Sequence, residues 1–100
     1  MIILYVLETC PYCQNAIQTL QSNKIKFKTI TVNNTEDEKN YYKKQNKMNT
    51  FPQIFMQVEK DNYMKLGGND DLMEIINISK NIKNSNLSMN AIYYFYDKLK

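Results

Sequence analysis

Histidine, tryptophan and arginine are absent from this sequence, and cysteine, glycine and proline occur only twice each. Each absence removes a class of chemistry. Without histidine there is no Ser-His-Asp or Cys-His machinery and no imidazole metal ligand. Without arginine there are no bidentate readers of phosphate or guanine. So few glycines and prolines exclude collagen-like and low-complexity chains. No apolar run reaches the roughly 18 residues that a membrane span needs, so no membrane partner is expected. The opening stretch MIILYVLET is apolar but has no basic leader and is too short for a secretory signal. Two cysteines cannot build a disulfide-rich secreted scaffold. They point to a reducing, cytoplasmic setting, where a close cysteine pair is more often catalytic than structural.

What remains is thiols, carboxylates, lysines, tyrosines and backbone groups. All 13 cationic residues are lysine, and the net charge is only +3. Asn, Lys, Ile and Tyr are abundant, a bias that A+T-rich codons produce without functional selection. Acids interleave with the lysines, so no focused basic patch marks a nucleic-acid partner. With 43% hydrophobic and 23% charged residues, the 100-residue chain reads as one soluble globular domain spanning 1–100.

The pattern along the chain is β-α-β-α-β-β-α-α. Residues 2–7, IILYVL, form a short apolar run that reads as a strand buried on both faces. Pro11 opens a helix whose apolar stripe is Ala16, Ile17 and Leu20, ending at Ser22-Asn23. Residues 25–32 are β-branched and mixed with lysine, as an edge strand would be. Thr35 caps a second helix, with Glu36, Asp37 and Glu38 in its first turn, running to about Lys47. Thr50-Phe51-Pro52 breaks that pattern. Gln53 to Val58 is a strand, Lys60-Asp61-Asn62 a turn, and Tyr63 to Leu66 a returning strand. After Gly67-Gly68, Asn69 or Asp70 caps a helix carrying Leu72, Ile75, Ile76 and Ile82 and ending at Asn84-Ser85-Asn86. A last helix starts at Ser88, and residues 84–100 are expected to pack on the domain. Its Phe95 and Tyr96 read as core, with Tyr93 and Tyr94 exposed. The first β-α-β implies a parallel right-handed crossover and the later hairpin adds antiparallel strands. The expected fold is therefore α/β, a four-stranded mixed sheet flanked by helices on both faces.

Cys10-Pro11-Tyr12-Cys13 carries the strongest chemical signal, because it follows a strand and opens a helix. Free backbone N–H groups and the helix dipole stabilise a thiolate there. A cysteine so placed, or in a C-x-x-C pair, is a nucleophile near neutral pH. Cys13 lies one turn deeper, within reach of a disulfide to Cys10 and suited to resolving a mixed disulfide. Pro11 has no N–H to compete for the site. Spacing alone leaves other readings open. One is an inert buried pair. Another is a metal site completed by carboxylates or a second chain, since a structural zinc needs about four Cys or His ligands.

Three blocks together narrow the choice: Glu8-Thr9-Cys10-Pro11-Tyr12-Cys13, Thr50-Phe51-Pro52-Gln53-Ile54-Phe55 and Gly67-Gly68-Asn69-Asp70-Asp71-Leu72. In order and near-spacing they resemble the signature blocks of glutaredoxins, over about residues 1–83. The resemblance implies a thioredoxin-like fold and glutathione-dependent thiol–disulfide exchange. It makes Cys10 the nucleophile and Cys13 the resolving thiol. It implies glutathione contacts from Tyr12, Thr50, Phe51, Pro52, Gly68, Asn69, Asp70 and Asp71, with Pro52 a cis-proline facing the cysteines. Phe51 stands where the family usually has Val, at a position that pairs with glutathione through main chain. The helix start at Asp70-Asp71 would hold the γ-glutamyl end, amides to its carboxylate and an Asp to its amine. Glutathione is thus a co-substrate, with no permanently bound cofactor and no metal. The partners implied are disulfide or glutathionylated proteins, ribonucleotide reductase among the family's expected targets, acted on by a monomer.

Leu7 departs from the resemblance, since many members carry Lys three positions before the first cysteine. Lys39, Lys43 and Lys47 lie on one helical stripe before the Thr-Phe-Pro turn and are candidates for charge support, against the plainer reading of a solvated face. Two rival functions come from other classes. A thioredoxin-like reductase not using glutathione would carry Trp-Cys-Gly-Pro-Cys. The other is a binding module, an iron–sulfur carrier or a redox-inert adaptor, and the family's cluster binders commonly carry Gly or Ser in place of Pro11. The cysteine assignment predicts that Cys10→Ser abolishes turnover while Cys13→Ser keeps monothiol deglutathionylation. Equal loss in both variants, measured on a glutathione mixed disulfide, would reject it.

Overall fold

The computed structural model describes residues 1–83. In chain order the elements are β1 (Ile2–Val6), α1 (Pro11–Ser22), β2 (Phe27–Thr31), α2 (Glu36–Asn46), β3 (Gln53–Glu59), β4 (Asn62–Gly67) and α3 (Asn69–Lys83). The helix expected from Ser88 onward, with Tyr93, Tyr94, Phe95 and Tyr96, lies outside the described residues, as does the expected stop at Asn84.

The four strands form one mixed sheet in the order β2-β1-β3-β4. β1 runs parallel to β2, from Ile2 opposite Phe27 to Val6 opposite Thr31. It runs antiparallel to β3, and β3 to β4. The α1 crossover supplies the parallel pair, as a connection of this length must. β2 is an edge strand, as its lysines suggest, and is shorter than the 25–32 expected. Ile25 and Val32 flank it and are buried, and the Val32 amide still donates to the Val6 carbonyl of β1 at 2.8 Å.

β1 alternates. Ile2, Leu4 and Val6 are buried, while Ile3 and Tyr5 are half-buried. The expectation of a strand fully buried on both faces is thus met on one face. On that face Cys13, Ala16 and Leu20 of α1 and Leu72, Ile75 and Ile76 of α3 complete the core. The stripe of α1 is rotated slightly from the one expected, because Cys13 is buried and Ile17 only partly so.

The opposite face is covered by α2, which buries no side chain fully. Its sequence EDEKNYYKKQN offers only Tyr41 and Tyr42 as apolar surface. Tyr42 packs on Tyr5 with ring centroids 5.3 Å apart, and Phe55 meets Tyr5 edge-on at 5.9 Å. Burial, and then the neighbouring Tyr42, Tyr63 and Tyr41 phenols, push the Tyr5 hydroxyl above its ordinary pKa. Beside this cluster lies a hollow of about 290 Å³ lined by Ile3, Tyr5, Ile30, Phe55 and Tyr63 with Lys28 and Asn46. α2 is set instead by its ends. Thr35 accepts a hydrogen bond from the Glu38 amide at 3.3 Å, three acids occupy the first turn, and Lys47 ends the helix in the left-handed region at φ 54°.

The two faces should differ in stability. Leu4→Ala removes a fully buried side chain from the central strand and should cost about 2–5 kcal/mol. Ile30→Ala on the α2 side should cost clearly less. Urea denaturation of both variants checks the difference.

Candidate active site

The site begins where β1 ends. Beyond Val6 the chain turns through Leu7, Glu8 and Thr9 to Cys10, the N-cap of α1, with extended φ −99° and ψ 112°. The cysteine performs the capping usually done by a serine or aspartate oxygen. Its Sγ accepts a hydrogen bond from the Cys13 amide at 3.2 Å, and its carbonyl accepts from Gln14 N at 3.0 Å. Pro11 at the first helical position has no N–H to satisfy. The first turn of α1 holds no acidic side chain, so within it the sulfur is the cap.

The two thiols differ in setting. Cys10 is half-buried and Cys13 fully buried, and neither is in a disulfide. Burial, with a smaller contribution from its hydrogen bond to Cys10, pushes the Cys13 thiol up to about 12. The folded chain therefore holds this proton more tightly than the unfolded chain. The stability so contributed is complete below pH 9.0 and drains away as pH rises toward about 12.

A second wall is the turn from Lys47 to Pro52. The Phe51–Pro52 peptide is cis, as the resemblance implied. Phe51 directs its carbonyl at the Cys10 thiol, which donates to it at 3.8 Å. Pro52 is fully buried beneath the turn. Gln53, the first residue of β3, is fully buried as well. Its Nε2 donates to the Met48 carbonyl at 3.3 Å and its Oε1 accepts from Asn46 Nδ2 at 2.7 Å.

The third wall is the entry to α3. Gly67 has φ 118°, open to glycine, and a side chain there would collide with the Asp71 carboxylate. Asp71 Oδ2 accepts from the Gly68 amide at 2.8 Å, the return half of a capping box. Asn69 Oδ1 accepts from Asn15 Nδ2 at 3.1 Å, which ties this wall to α1.

Between the walls lies a groove of about 310 Å³ lined by Tyr12, Met48, Thr50, Phe51, Gly68, Asn69, Asp70 and Asp71. Every ligand-contact residue expected from the sequence lines it except Pro52. Tyr12 is 65% exposed at its rim. The three lysines put forward for charge support do not line it. Lys39 pairs with Glu36 at 3.1 Å, and the Lys47 carbonyl accepts from Lys65 Nζ at 2.9 Å. Leu7 packs against the core. Among the described residues no group of His, Cys, Asp and Glu is placed to hold a metal, and no helix is long and apolar enough to cross a membrane.

Sequence reasoning missed Asn15, Asn46, Met48 and the side chain of Gln53. Only Gln53 carried a signal, as a polar residue inside the Thr-Phe-Pro-Gln-Ile-Phe block. Chemically, the arrangement is an accessible sulfur on a helix cap, a buried protonated thiol one turn away, and a polar groove beside them.

Known proteins are similar to the chain in sequence and in fold. The family model described as glutaredoxin matches residues 2–59. Glutaredoxin 1 of Rickettsia typhi is 42% identical over 76 residues, which cover 74% of this chain and 68% of that protein. The solution structure of glutaredoxin from Brucella melitensis superposes with TM-score 0.61 at 29% identity, covering 82% of this chain and 84% of that one. A buckwheat glutaredoxin–glutathione complex gives TM-score 0.64 at 18% identity over 82% of this chain and 73% of that one, a likeness of fold alone.

The burial of Cys13 predicts its reactivity. In Cys10→Ser, burial should still make iodoacetamide at pH 8 label Cys13 much more slowly than a free thiol. Mass spectrometry over time reads the rate, and labelling at the free-thiol rate would contradict the assignment.

Proposed function

This chain belongs to the glutaredoxin family and so is a thiol–disulfide oxidoreductase; from that premise we propose that it draws its electrons from glutathione, with Cys10 as nucleophile and Cys13 as resolving thiol. The observation that carries this reading is the groove beside Cys10. It offers a peptide-like ligand an exposed aromatic rim at Tyr12, main chain at Thr50 and Phe51, and a helix start with two aspartates at Asp70 and Asp71.

In the monothiol route the Cys10 thiolate attacks the glutathionyl sulfur of a protein mixed disulfide. The protein thiolate leaves and takes a proton from solvent. The Cys10–glutathione disulfide is then attacked by a second glutathione thiolate. Oxidised glutathione departs and the Cys10 thiolate is restored. In the dithiol route Cys10 attacks a protein disulfide. Cys13 loses its proton and attacks Cys10 Sγ, releasing the second substrate thiol. The resulting Cys10–Cys13 disulfide is reduced by two glutathiones in turn. The buried, protonated state of Cys13 suits this order, since it does not compete for the first attack.

The ligand's orientation follows from charge. Free amides at the start of α3 suit the α-carboxylate of the γ-glutamyl end, and an aspartate suits its amine. Asp71 already holds the Gly68 amide through one oxygen, which fixes the carboxylate for such a contact. The main-chain pairing partner is Phe51, whose side chain is turned into the protein and nearly buried.

A coupled glutathione and glutathione reductase assay on a glutathione mixed disulfide tests the reading. Wild type and Cys13→Ser should both turn over. Asp71→Asn keeps an acceptor for Gly68 but loses the charge, and should raise the Michaelis constant roughly tenfold with kcat within about twofold. Turnover that ignores glutathione and accepts only a flavoprotein donor would sink the proposal.

A further inference from the structure

Gln53 is buried without exposure at the start of a strand whose next residue, Ile54, belongs to the apolar core. An aliphatic side chain would fill that volume without the cost of burying an amide. The cost is offset here by two hydrogen bonds, and both run to the segment immediately before it. Asn46, the last residue of α2, donates to Oε1 at 2.7 Å, and Nε2 donates to the Met48 carbonyl at 3.3 Å. The amide therefore joins the end of α2 to the start of β3 and closes the intervening turn.

Besides this amide, the α2 side of the turn is held by the Met48 amide, which donates to the Lys43 carbonyl at 3.0 Å, and by Lys65 Nζ, which donates to the Lys47 carbonyl at 2.9 Å. α2 buries no side chain fully, and Asn49 and Thr50 are exposed. Yet the turn supplies Met48, Thr50 and Phe51 to the groove and the Phe51 carbonyl to the Cys10 thiol. We infer that the Gln53 amide, with Asn46, is a positioning clamp that holds the Met48–Phe51 wall of the groove at its binding distance from Cys10. The clamp touches neither substrate nor sulfur. It acts through the backbone of the turn, and its role in binding rests on the groove's being the glutathione site.

The test uses Asn46→Ala, which removes one bond of the clamp, and Gln53→Met, which removes both at similar volume. Asn46→Ala keeps the proposal testable if Gln53→Met does not fold. Two measurements are made on folded protein. The first is hydrogen exchange of the amides from 48 to 51 against those of β1. Exchange in the turn should quicken about tenfold, the order of one hydrogen bond, with β1 unchanged. The second is steady-state kinetics on a peptide–glutathione disulfide and on the same peptide disulfide-bonded to cysteamine. The Michaelis constant for the glutathione substrate should rise about tenfold with kcat within twofold, and the cysteamine substrate should be unaffected. A lower melting temperature with unchanged exchange in the turn and an unchanged Michaelis constant overturns the clamp. A wild type with no preference for the glutathione substrate defeats the glutathione reading instead, and the exchange measurement then decides the clamp alone.

Discussion

Pairing of Tyr5 with Gln53 and of Ile54 with Gly67 sets three chain turns at one end of the sheet. β1 leaves the sheet there toward Cys10, β3 enters it there behind Pro52, and β4 leaves it there toward α3. The buried face of Ile2, Leu4 and Val6 holds this register, because a slip of one residue would turn those side chains away from α1 and α3. The groove is the gap these three turns leave. No residue that lines it needs to contribute to the core for the gap to exist. Only Phe51 does both, with its side chain packed inward and its carbonyl facing Cys10.

The two cysteines show how one helical turn separates two chemical settings. Cys10 sits before the helix, where the sulfur takes a backbone hydrogen that the helix leaves unpaired. Cys13 sits on the buried stripe with Ala16 and Leu20, where ionisation means bringing charge into apolar surroundings. A chain without histidine or arginine has little else with which to distinguish them. Position along one helix gives one sulfur a backbone hydrogen bond at the helix start and buries the other in the core.

Most of the framework was legible because its signals are local. Thr35 with its acids, Pro11 at a helix start and the paired glycines each mark a boundary by a mechanism that operates within one turn of chain. What was not legible depends on which way a face points. The stripe of Lys39, Lys43 and Lys47 has helical spacing, but spacing does not say that Lys39 turns back to Glu36 and that the groove lies elsewhere. The half-buried second face of β1 follows from a covering helix too polar to bury it fully, a property of α2 rather than of β1. Gln53 and Asn15 escaped for a related reason. An amide in sequence looks like a surface residue until its partners are known.

Gly67 carries a last consequence, for how this chain tolerates mutation. Two independent conditions bear on the same position, a backbone angle that side chains rarely adopt and a carboxylate occupying the space a side chain would need. Relieving one leaves the other in force. A smaller residue at position 71 would clear the space but abandon the Gly68 amide, and a compatible backbone angle would still meet Asp71. Position 67 therefore cannot drift by single steps, whatever stands at position 71.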